Sequence, residues 1–254
     1  MNISRIISDS FKYPFRNIKK LPILFILFVL MAIVPIGMIY DNNYAVIIGV
    51  ISFLAFILIV PGYLVSIIKK GSIGSSMFPS FNLMDNIYNS IRVLLLRIVY
   101  MLVPATVFFI SLATLGSASI GFIYELDILA FLATSSLAVI LIIITYAVFE
   151  FLLFFAKARL AYLNSLTEAL KIHKVIIDIK TIGIFNIIKW LIFMAVLISA
   201  ISFITSFVMS IPYVGFLIYV AIVIPLMESI GNYSLGLLYS NIARNNDKFN
   251  KIAG

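Results

Sequence analysis

Two acidic residues, Glu150 and Glu228, interrupt long apolar stretches of this 254-residue sequence and are its first candidates for chemistry. A carboxylate in apolar surroundings can exchange a proton, bind a cation or pair with a base, and its energetic cost favours a functional role. Asn232 and Ser234 follow Glu228 closely, and Pro225 lies three residues before it. A proline removes one backbone hydrogen bond from a helix and can kink it. Glu228, Asn232 and Ser234 therefore form a candidate polar site.

The other carboxylate, Glu150, is expected to pair with Arg97. Glu150 lies five residues before Phe155, where we expect its helix to reach the membrane boundary, and so only about 7 Å inside that boundary. Arg97 lies five residues after Arg92 in a neighbouring apolar stretch and should reach a similar depth. Opposite charges at the same depth predict an Arg97–Glu150 ion pair that acts as a structural lock.

Glu228 is expected to lie deeper, near the middle of the membrane. It is eleven residues before Tyr239 and fifteen after Tyr213, and no Lys or Arg is expected at its depth. Its carboxyl group should therefore be protonated or face a hydrated cavity between helices. Two interpretations stay open: a role in transport or binding, and a neutral acid that hydrogen-bonds a neighbouring helix.

The residue types that most enzymes need are scarce in this chain. It has no cysteine and a single histidine, His173. Zinc sites built from His and Cys are thereby excluded, and a Ser/His/Asp triad would need His173, which is expected at a membrane surface. The stretch Gly71-Ser72-Ile73-Gly74 lacks the lysine of a phosphate-binding loop. We predict no catalytic residue, no metal ligand and no cofactor, and hence a protein that is not an enzyme.

The elements that must position these residues are six apolar stretches. The chain is 63% hydrophobic and only 11% charged, outside the range of soluble proteins, and about 20 helical residues cross a hydrocarbon layer. We predict transmembrane helices over residues 21–40, 45–68, 93–115, 126–155, 186–209 and 213–239. The first should be a retained helix, because no signal-peptide cleavage site follows it. The prediction is an all-α polytopic membrane bundle that forms one domain over residues 1–254.

The positive charges all fall on one side of these predicted helices. The net charge is +8, and all 18 Lys and Arg residues lie in the N-terminal segment, the second and fourth connections, the tail, or the first residues of spans three and five. The other three loops contain only Asp41, Glu125 and Asp127 as charges. Because basic loops stay cytoplasmic, we predict a multi-pass cell-membrane protein with both termini in the cytoplasm. Topology thus explains the basic charge, and no nucleic-acid partner is predicted.

A short amphipathic stretch precedes each of spans one, three and five. The stretches begin near Ile3, Met84 and Ser165, and their apolar residues recur at helical spacing. The third is predicted to be one helix from Ser165 to Thr181, because Ser165-Leu166-Thr167-Glu168 has the form of a capping box. Its apolar face should contain Ile176 and leave Asp178 outside. The chain therefore reads as three units, each an amphipathic interfacial helix followed by a transmembrane hairpin.

Basic helices that lie among lipid headgroups attract anionic lipid. The candidate contacts on the short helices are Lys171, Lys174, Lys180, Arg5 and Lys12. The alternative is that they are ordinary inner-loop charges of a membrane protein. The expected partners are membrane lipids, with a homo-oligomer or another membrane partner left open.

Aromatic residues near the expected inner ends of the spans predict a belt at the membrane interface. Its members there are Tyr13, Trp190 and Tyr239. Chance placement is the alternative, because the chain contains 13 tyrosines.

Several short motifs in a fixed order resemble a known family. They are Ile7-Ser8-Asp9-Ser10-Phe11-Lys12-Tyr13-Pro14-Phe15, Pro61-Gly62-Tyr63-Leu64, Phe78-Pro79-Ser80-Phe81, Pro104 and the region from Gly231 to Tyr239. In this order they resemble an uncharacterised family of archaeal integral membrane proteins, domain of unknown function 4013, which is common in methanogens. The resemblance implies a six-helix membrane domain without an established activity, so it implies no functional residue. More loosely, the three-unit layout resembles the membrane part of some glycerophosphodiester phosphodiesterases, but no counterpart of their catalytic barrel is expected here.

Two functional hypotheses follow from these residues. The first is a non-enzymatic scaffold that organises lipids or partner proteins through its basic face. The second is a small transporter or permease whose pathway runs past Glu228. An intramembrane lipid-modifying enzyme is disfavoured, because no nucleophile can be paired with a base.

Overall fold

The fold is described from a computed structural model, which covers residues 2–39, 42–125, 128–211 and 214–252. The side chains of residues 39, 117–133, 241 and 243–252 are not part of this description. The loop charges Asp41, Glu125 and Asp127 therefore lie outside it, as does Tyr213.

All secondary structure among the described residues is helical. The helices are α1 (Ile3–Arg16), α2 (Leu21–Ile39), α3 (Asn43–Ser72), α4 (Leu83–Glu125), α5 (Ile128–Leu163), α6 (Leu166–Leu170), α7 (Ile172–Ile182), α8 (Ile184–Met209), α9 (Val214–Ile218) and α10 (Ile224–Ile252). A 3₁₀ turn (Ile18–Lys20) precedes α2, and a π-helical segment (Tyr219–Val223) joins α9 to α10. The predicted all-helical class is confirmed.

Six of these helical segments are long and apolar enough to cross a membrane, which confirms the predicted number and is typical of a multi-pass membrane protein. They cover residues 18–38, 43–72, 83–116, 134–163, 184–209 and 214–240. The fourth ends eight residues later than predicted, because α5 continues past Phe155 to Leu163. No proline or glycine interrupts it, and it ends where Asn164 adopts a positive φ of 53°.

The short helices that precede the long ones do not all exist as separate elements. Asn17 ends α1, and Gly183, with φ 91°, separates α7 from α8. Residues 84–92, by contrast, form the first turns of α4, which begins at Leu83. No glycine and no proline lies between Leu83 and Pro104, so nothing in the backbone stops this helix at the predicted boundary. The second unit therefore has no short helix of its own.

The third short helix also differs from its prediction. It is divided at Lys171 into α6 and α7. Ser165 is the expected N-cap and its Oγ accepts from the Glu168 N–H, 3.4 Å away. The buried face of α7 contains Asp178, which is 6% exposed, whereas Ile176 is exposed. The prediction of Asp178 outside the buried face was wrong, because a buried arginine on α5 neutralises this carboxylate, as described below.

Glycines set how closely the long helices approach at the end of the bundle where α3 ends and α4 begins, here called the basic end. A Cβ on Gly62 of α3 would lie 1.9 Å from the Asn86 carbonyl oxygen of α4. A Cβ on Gly236 of α10 would lie 2.2 Å from the Ile68 carbonyl oxygen of α3. Since neither distance is physically allowed, the close contacts of α3 with α4 and α10 require glycine at both positions.

The aromatic residues predicted at the inner interface are instead buried in protein. Tyr13 is fully buried, and its ring stacks on Phe78 at 4.6 Å and on Tyr233 at 3.8 Å between ring centroids. Burial raises the pKa of Tyr13, so its phenol stays neutral. Trp190 and Tyr239 are 3% and 1% exposed. Their placement in the predicted belt was wrong, because α1 packs against α8 and α10, and α7 also packs against α8 and α10.

Candidate functional site

A cavity of about 370 Å³ lies between α2, α3, α4, α5 and α10. Its walls come from residues 56–68 of α3, 93–97 of α4 and 224–232 of α10, so it overlaps the level of the close contact at Gly62. One part of its wall is apolar and includes Phe28, Phe56 and Leu64. Its size and mostly apolar lining are typical of small-molecule sites, which measure about 300–1,000 Å³.

Glu228 and Asn232 both line this cavity from α10. The Asn232 Nδ2 donates to Glu228 Oε2 at 2.9 Å and to the Glu228 carbonyl oxygen at 2.8 Å, because residues four apart share one helix face. Ser234, the third predicted member of the polar site, lies on another face. Its hydroxyl contacts the Gly231 carbonyl oxygen and the sulfur of Met194 on α8. The structure thus brings Glu228 and Asn232 together and leaves Ser234 out.

Arg97 and Glu150 lie together between α4 and α5, as the equal-depth argument predicts. The Arg97 Nη2 is 2.8 Å from Glu150 Oε1, and the Tyr146 hydroxyl donates to the same oxygen at 3.1 Å. Arg97 lines the central cavity and also a second, largely apolar cavity of about 330 Å³ that includes Pro104 and Tyr146. One guanidinium N–H is thus used by Glu150, and a guanidinium has five.

Lys157 is the residue of this cavity that sequence reasoning missed. With the fourth span ended at Phe155, Lys157 was expected in a cytoplasmic loop, yet it lies inside α5 and lines the cavity with Glu228. The charges of Glu150, Arg97 and Glu228 all act on it. The prediction that Glu228 has no cation at its depth was therefore wrong. The signal was the uninterrupted run to Asn164, which contains no glycine or proline.

Glu150 and Arg97 lie at similar distances from the ends of their helices. Glu150 is thirteen residues before Leu163, about 20 Å along the helix, and Arg97 is fourteen residues after Leu83, about 21 Å. The two residues therefore share a depth, as predicted. The expected 7 Å is a distance from the membrane boundary and stays a prediction. The cavity reaches from Arg97, deep in α4, towards the basic end, because Ile68 and Lys157 line it only four and six residues before the ends of α3 and α5.

The charges around the cavity are not neutralised evenly. Arg97 and Glu150 form an ion pair, whereas Lys157 makes no hydrogen bond or ion pair with any described residue. Among the described residues, Asn232 is the only hydrogen-bond partner of the Glu228 side chain, which is exposed to the cavity. A cation and an anion that form no ion pair with any described residue thus face the same cavity.

A second ionic cluster lies close by but is fully paired. Arg159 on α5 is 9% exposed, and its Nη1 is 2.6 Å from Asp178 Oδ2 on α7. The Tyr239 hydroxyl of α10 donates to the same carboxylate oxygen. Arg159 also donates through Nε to the Glu168 carbonyl oxygen at 3.0 Å, and its Nη2 is 3.3 Å from Glu168 Oε2. This cluster, Arg159, Asp178, Tyr239 and Glu168, ties α5, α6, α7 and α10 together.

Glu168 completes the paired cluster on its exposed side. Its Oε1 is 2.5 Å from Lys171 Nζ. The hydrogen bonds from Lys171 and then Arg159 hold the pKa of Glu168 below its usual value. The Glu168 carboxylate therefore accepts hydrogen bonds from Arg159 and Lys171. In a capping box it would instead accept a hydrogen bond from the backbone N–H of the N-cap residue.

The predicted lipid contacts differ in how free they are. Lys12, Lys174 and Lys180 are exposed. Arg5 lies 3.7 Å from Asp9, and Lys171 is engaged by Glu168. Three of the five cations therefore have freely exposed side chains, and contact with lipid stays a prediction for all five.

No group of three His, Asp or Glu side chains in the described ranges is close enough to hold a metal ion. The polar groups of the cavity, two cations with one carboxylate and one amide beside them, are suited to binding charged groups of a ligand. No Ser, Thr, Cys or His side chain lines this cavity among the described residues.

Comparison with known proteins gives one match. Residues 45–211, more than half of the chain, match the family model described as Protein of unknown function (DUF4013). The segment includes Pro61-Gly62-Tyr63-Leu64, Phe78-Pro79-Ser80-Phe81 and Pro104, but not the two terminal motifs. No curated protein and no solved structure matches the chain, so the looser similarity to phosphodiesterase membrane domains stays a prediction. The chain belongs to the DUF4013 family of proteins of unknown function.

Proposed function

We propose that the protein is a non-enzymatic membrane protein that binds a membrane lipid in its central cavity and so organises lipid around the bundle. The single observation that supports this most is the cavity itself, which combines an apolar wall with a charged region. An amphipathic ligand matches both parts, because acyl chains bury apolar surface and headgroups pair with charges.

The position of the charges favours a lipid over a water-soluble ligand. Arg97 and Glu228 lie inside helices that are apolar enough to cross a membrane. Charges at such depth are costly unless a partner or water accompanies them. A lipid headgroup drawn into the bundle supplies that partner, while its chains stay against Phe28, Phe56 and Leu64.

The orientation of the bundle is part of this proposal. We place the basic end and both termini in the cytoplasm, because the 18 Lys and Arg residues follow the pattern of cytoplasmic loops. The exposed side chains of Lys12, Lys174 and Lys180 then face the headgroups of the inner leaflet. Each such cation near the surface contributes about 1 kcal/mol to the attraction of anionic lipid. Cysteine accessibility at each terminus in intact cells tests this orientation.

The cavity can be filled without changing its charges. Leu64 on α3 lines the cavity, and Leu64→Trp should occupy much of it. Leu54 lies ten residues earlier on the same helix and is 56% exposed, facing away from the protein. Leu54→Trp is therefore a matched control. The measurement is the number of lipid molecules retained by each purified protein in mild detergent, counted by mass spectrometry.

We expect Leu64→Trp to retain fewer lipid molecules than the wild type, and Leu54→Trp to retain the same number. Equal retention by both variants, with both proteins monodisperse, would contradict a lipid in the cavity. It would leave the exposed lysines as the only lipid-binding groups in the proposal.

Transport past Glu228 is the second candidate function, and a specific observation favours it. The π-helical segment Tyr219–Val223 and Pro225 immediately precede Glu228 on the same helix. Such interruptions leave backbone groups free and often mark functional positions. Arg97 and Lys157 are the titratable groups that face Glu228 across the cavity.

A transporter that moves protons through Glu228 should lose proton flux when this residue is changed to Gln. The measurement is acidification of proteoliposomes that contain a pH-sensitive dye, under an imposed pH gradient. Identical flux from wild-type and Glu228→Gln vesicles counts against this candidate and leaves lipid binding as the proposal.

A further inference from the structure

Lys157 and Glu228 face the same cavity with opposite charges and without direct ionic partners among the described residues. Lys157 and Glu228 are too far apart to form an ion pair with each other, whereas Arg97 and Glu150 neutralise each other at 2.8 Å. A charge that loses water without gaining an ionic partner costs free energy, so two unpaired charges destabilise the empty cavity. A ligand that carries both opposite charges removes this cost at both ends.

We infer that the ligand of the cavity is zwitterionic: its anionic group lies against Lys157 and Arg97, and its cationic group lies against Glu228. This inference rests on the proposed lipid-binding function and names the headgroup class. In chemical terms the ligand is a phospholipid whose headgroup joins a phosphate to an ammonium.

The cationic side of the cavity is suited to a phosphate. The Lys157 ammonium donates no hydrogen bond to a described side chain, and Arg97 has N–H groups besides the one that donates to Glu150. Arginine and lysine bind phosphate oxygens through short charge-assisted hydrogen bonds. The ion pair with Glu150, which Tyr146 supports, holds the guanidinium in place.

The anionic side is suited to an ammonium. Asn232 holds Glu228 Oε2 through its Nδ2 group, and the second carboxylate oxygen accepts no hydrogen bond from a described residue. The amide oxygen of Asn232 is a further acceptor, and an ammonium has three or fewer N–H donors to satisfy. A purely anionic headgroup would pair with Lys157 and Arg97 but would leave Glu228 without a cation and repel it, which disfavours such a ligand.

The test compares three lipids with the same chains in the full-length protein. They are phosphatidylethanolamine, which has both charges, phosphatidylglycerol, which has only the phosphate, and a trimethylammonium-propane lipid, which has only the cation. The cavity-bound amount of each is the retention that Leu64→Trp abolishes, because the exposed lysines at the basic end hold anionic lipid in both proteins. We expect the zwitterionic lipid to be retained roughly tenfold better than either of the others.

Two variants assign the charges. Glu228→Gln should reduce the preference for phosphatidylethanolamine over phosphatidylglycerol. Lys157→Met should reduce the preference for phosphatidylethanolamine over the cationic lipid. Equal cavity-bound amounts of all three lipids in the wild type would overturn the zwitterion inference while leaving lipid binding intact. If Leu64→Trp abolishes no lipid retention, the proposed function itself fails. The wild-type comparison needs no charged variant and so stays decisive if a variant does not fold.

A water-soluble zwitterion is distinguished by competition. Free phosphoethanolamine has the headgroup charges without acyl chains, and it should not displace cavity-bound lipid at equal concentration. Displacement by phosphoethanolamine would support the assigned charges but overturn a lipid as the preferred ligand.

Discussion

Two cations on one helix, Lys157 and Arg159, have opposite roles although only one residue separates them. Arg159 is buried and fully paired, with Asp178, Glu168 and the Tyr239 hydroxyl around it. Lys157 faces the central cavity and has no ionic partner among the described residues. Positions two apart on a helix point about 200° apart, so α5 presents one cation to α7 and the other to the cavity.

The comparison separates a charge that holds the fold from a charge that is available to a ligand. Removing one partner of a buried pair leaves the other charge uncompensated and is strongly destabilising. Removing a charge that has no protein partner takes nothing from the fold and only changes what the cavity binds. The four predictions below test this contrast, from the largest expected effect to the smallest.

Asp178→Asn should have the largest effect on stability. The change keeps the shape of the side chain but removes the closer and more buried of the two carboxylates that pair with Arg159, and leaves only Glu168. We expect a loss of about 3–5 kcal/mol, seen as a lower melting temperature of the purified protein in detergent.

A paired replacement controls for the loss of the carboxylate alone. Arg159→Met combined with Asp178→Leu removes both charges, and an apolar pair of similar size is often as stable as a buried ion pair. The double variant should therefore recover much of the stability. A single Asp178→Asn variant as stable as the wild type would show that the cluster does not hold the fold.

Gly236→Ala should destabilise the protein by about 1–3 kcal/mol through overpacking. Gly236 lies on α10 between Glu228 and Tyr239, and a new Cβ there would meet the Ile68 backbone at 2.2 Å. Because a backbone cannot move aside as a side chain can, α10 must shift away from α3 and disturb both ionic sites.

Gly231→Ala is the matched control on the same helix, because a Cβ there meets no atom within 4 Å. It should be neutral or should stabilise α10 by up to about 1 kcal/mol through higher helix propensity. Equal melting temperatures of the two alanine variants would contradict a close helix contact at Gly236.

Lys157→Met should change stability by less than about 1 kcal/mol or raise it, since no protein partner loses its charge. The same variant should lower lipid retention, as described above. Melting temperature and lipid retention measured on one preparation separate the two effects. A large loss of stability would place Lys157 in the same class as Arg159 and remove the contrast.

Glu168→Gln should have the smallest effect, and that effect should depend on pH. Because the folded-state pKa of Glu168 is held below its usual value, its contribution to stability is present above about pH 4.3 and is lost as pH falls through the folded pKa. The melting temperature of the variant should be slightly below wild type at neutral pH, and the two should converge in acid. A difference in melting temperature between wild type and variant that stays the same from neutral to acidic pH would contradict the ionic role of Glu168.

The long helices and one ion pair follow from the sequence alone. Hydrophobic runs determine the number of membrane-crossing helices, because the thickness of the lipid layer sets the length of each run. Arg97 and Glu150 are predicted from depth, since opposite charges at equal depth on neighbouring helices lower their cost in lipid by pairing. The position of Lys157 was not predicted, because the apolar run ends at Phe155 and the helix was expected to end there too. In the structure α5 continues to Leu163 and includes Lys157.

Tertiary structure decides which charges face each other and which face a cavity. A helix such as α5 is apolar on all sides, so its periodicity does not show which face meets protein and which meets lipid. The lateral arrangement of the helices depends on close contacts such as those at Gly62 and Gly236, which involve residues far apart in the chain. For this reason the sequence determined a six-helix membrane protein with charges inside it. Only the packing decided that Arg159 is ion-paired with Asp178, whereas Lys157 faces a cavity without an ion pair to any described residue.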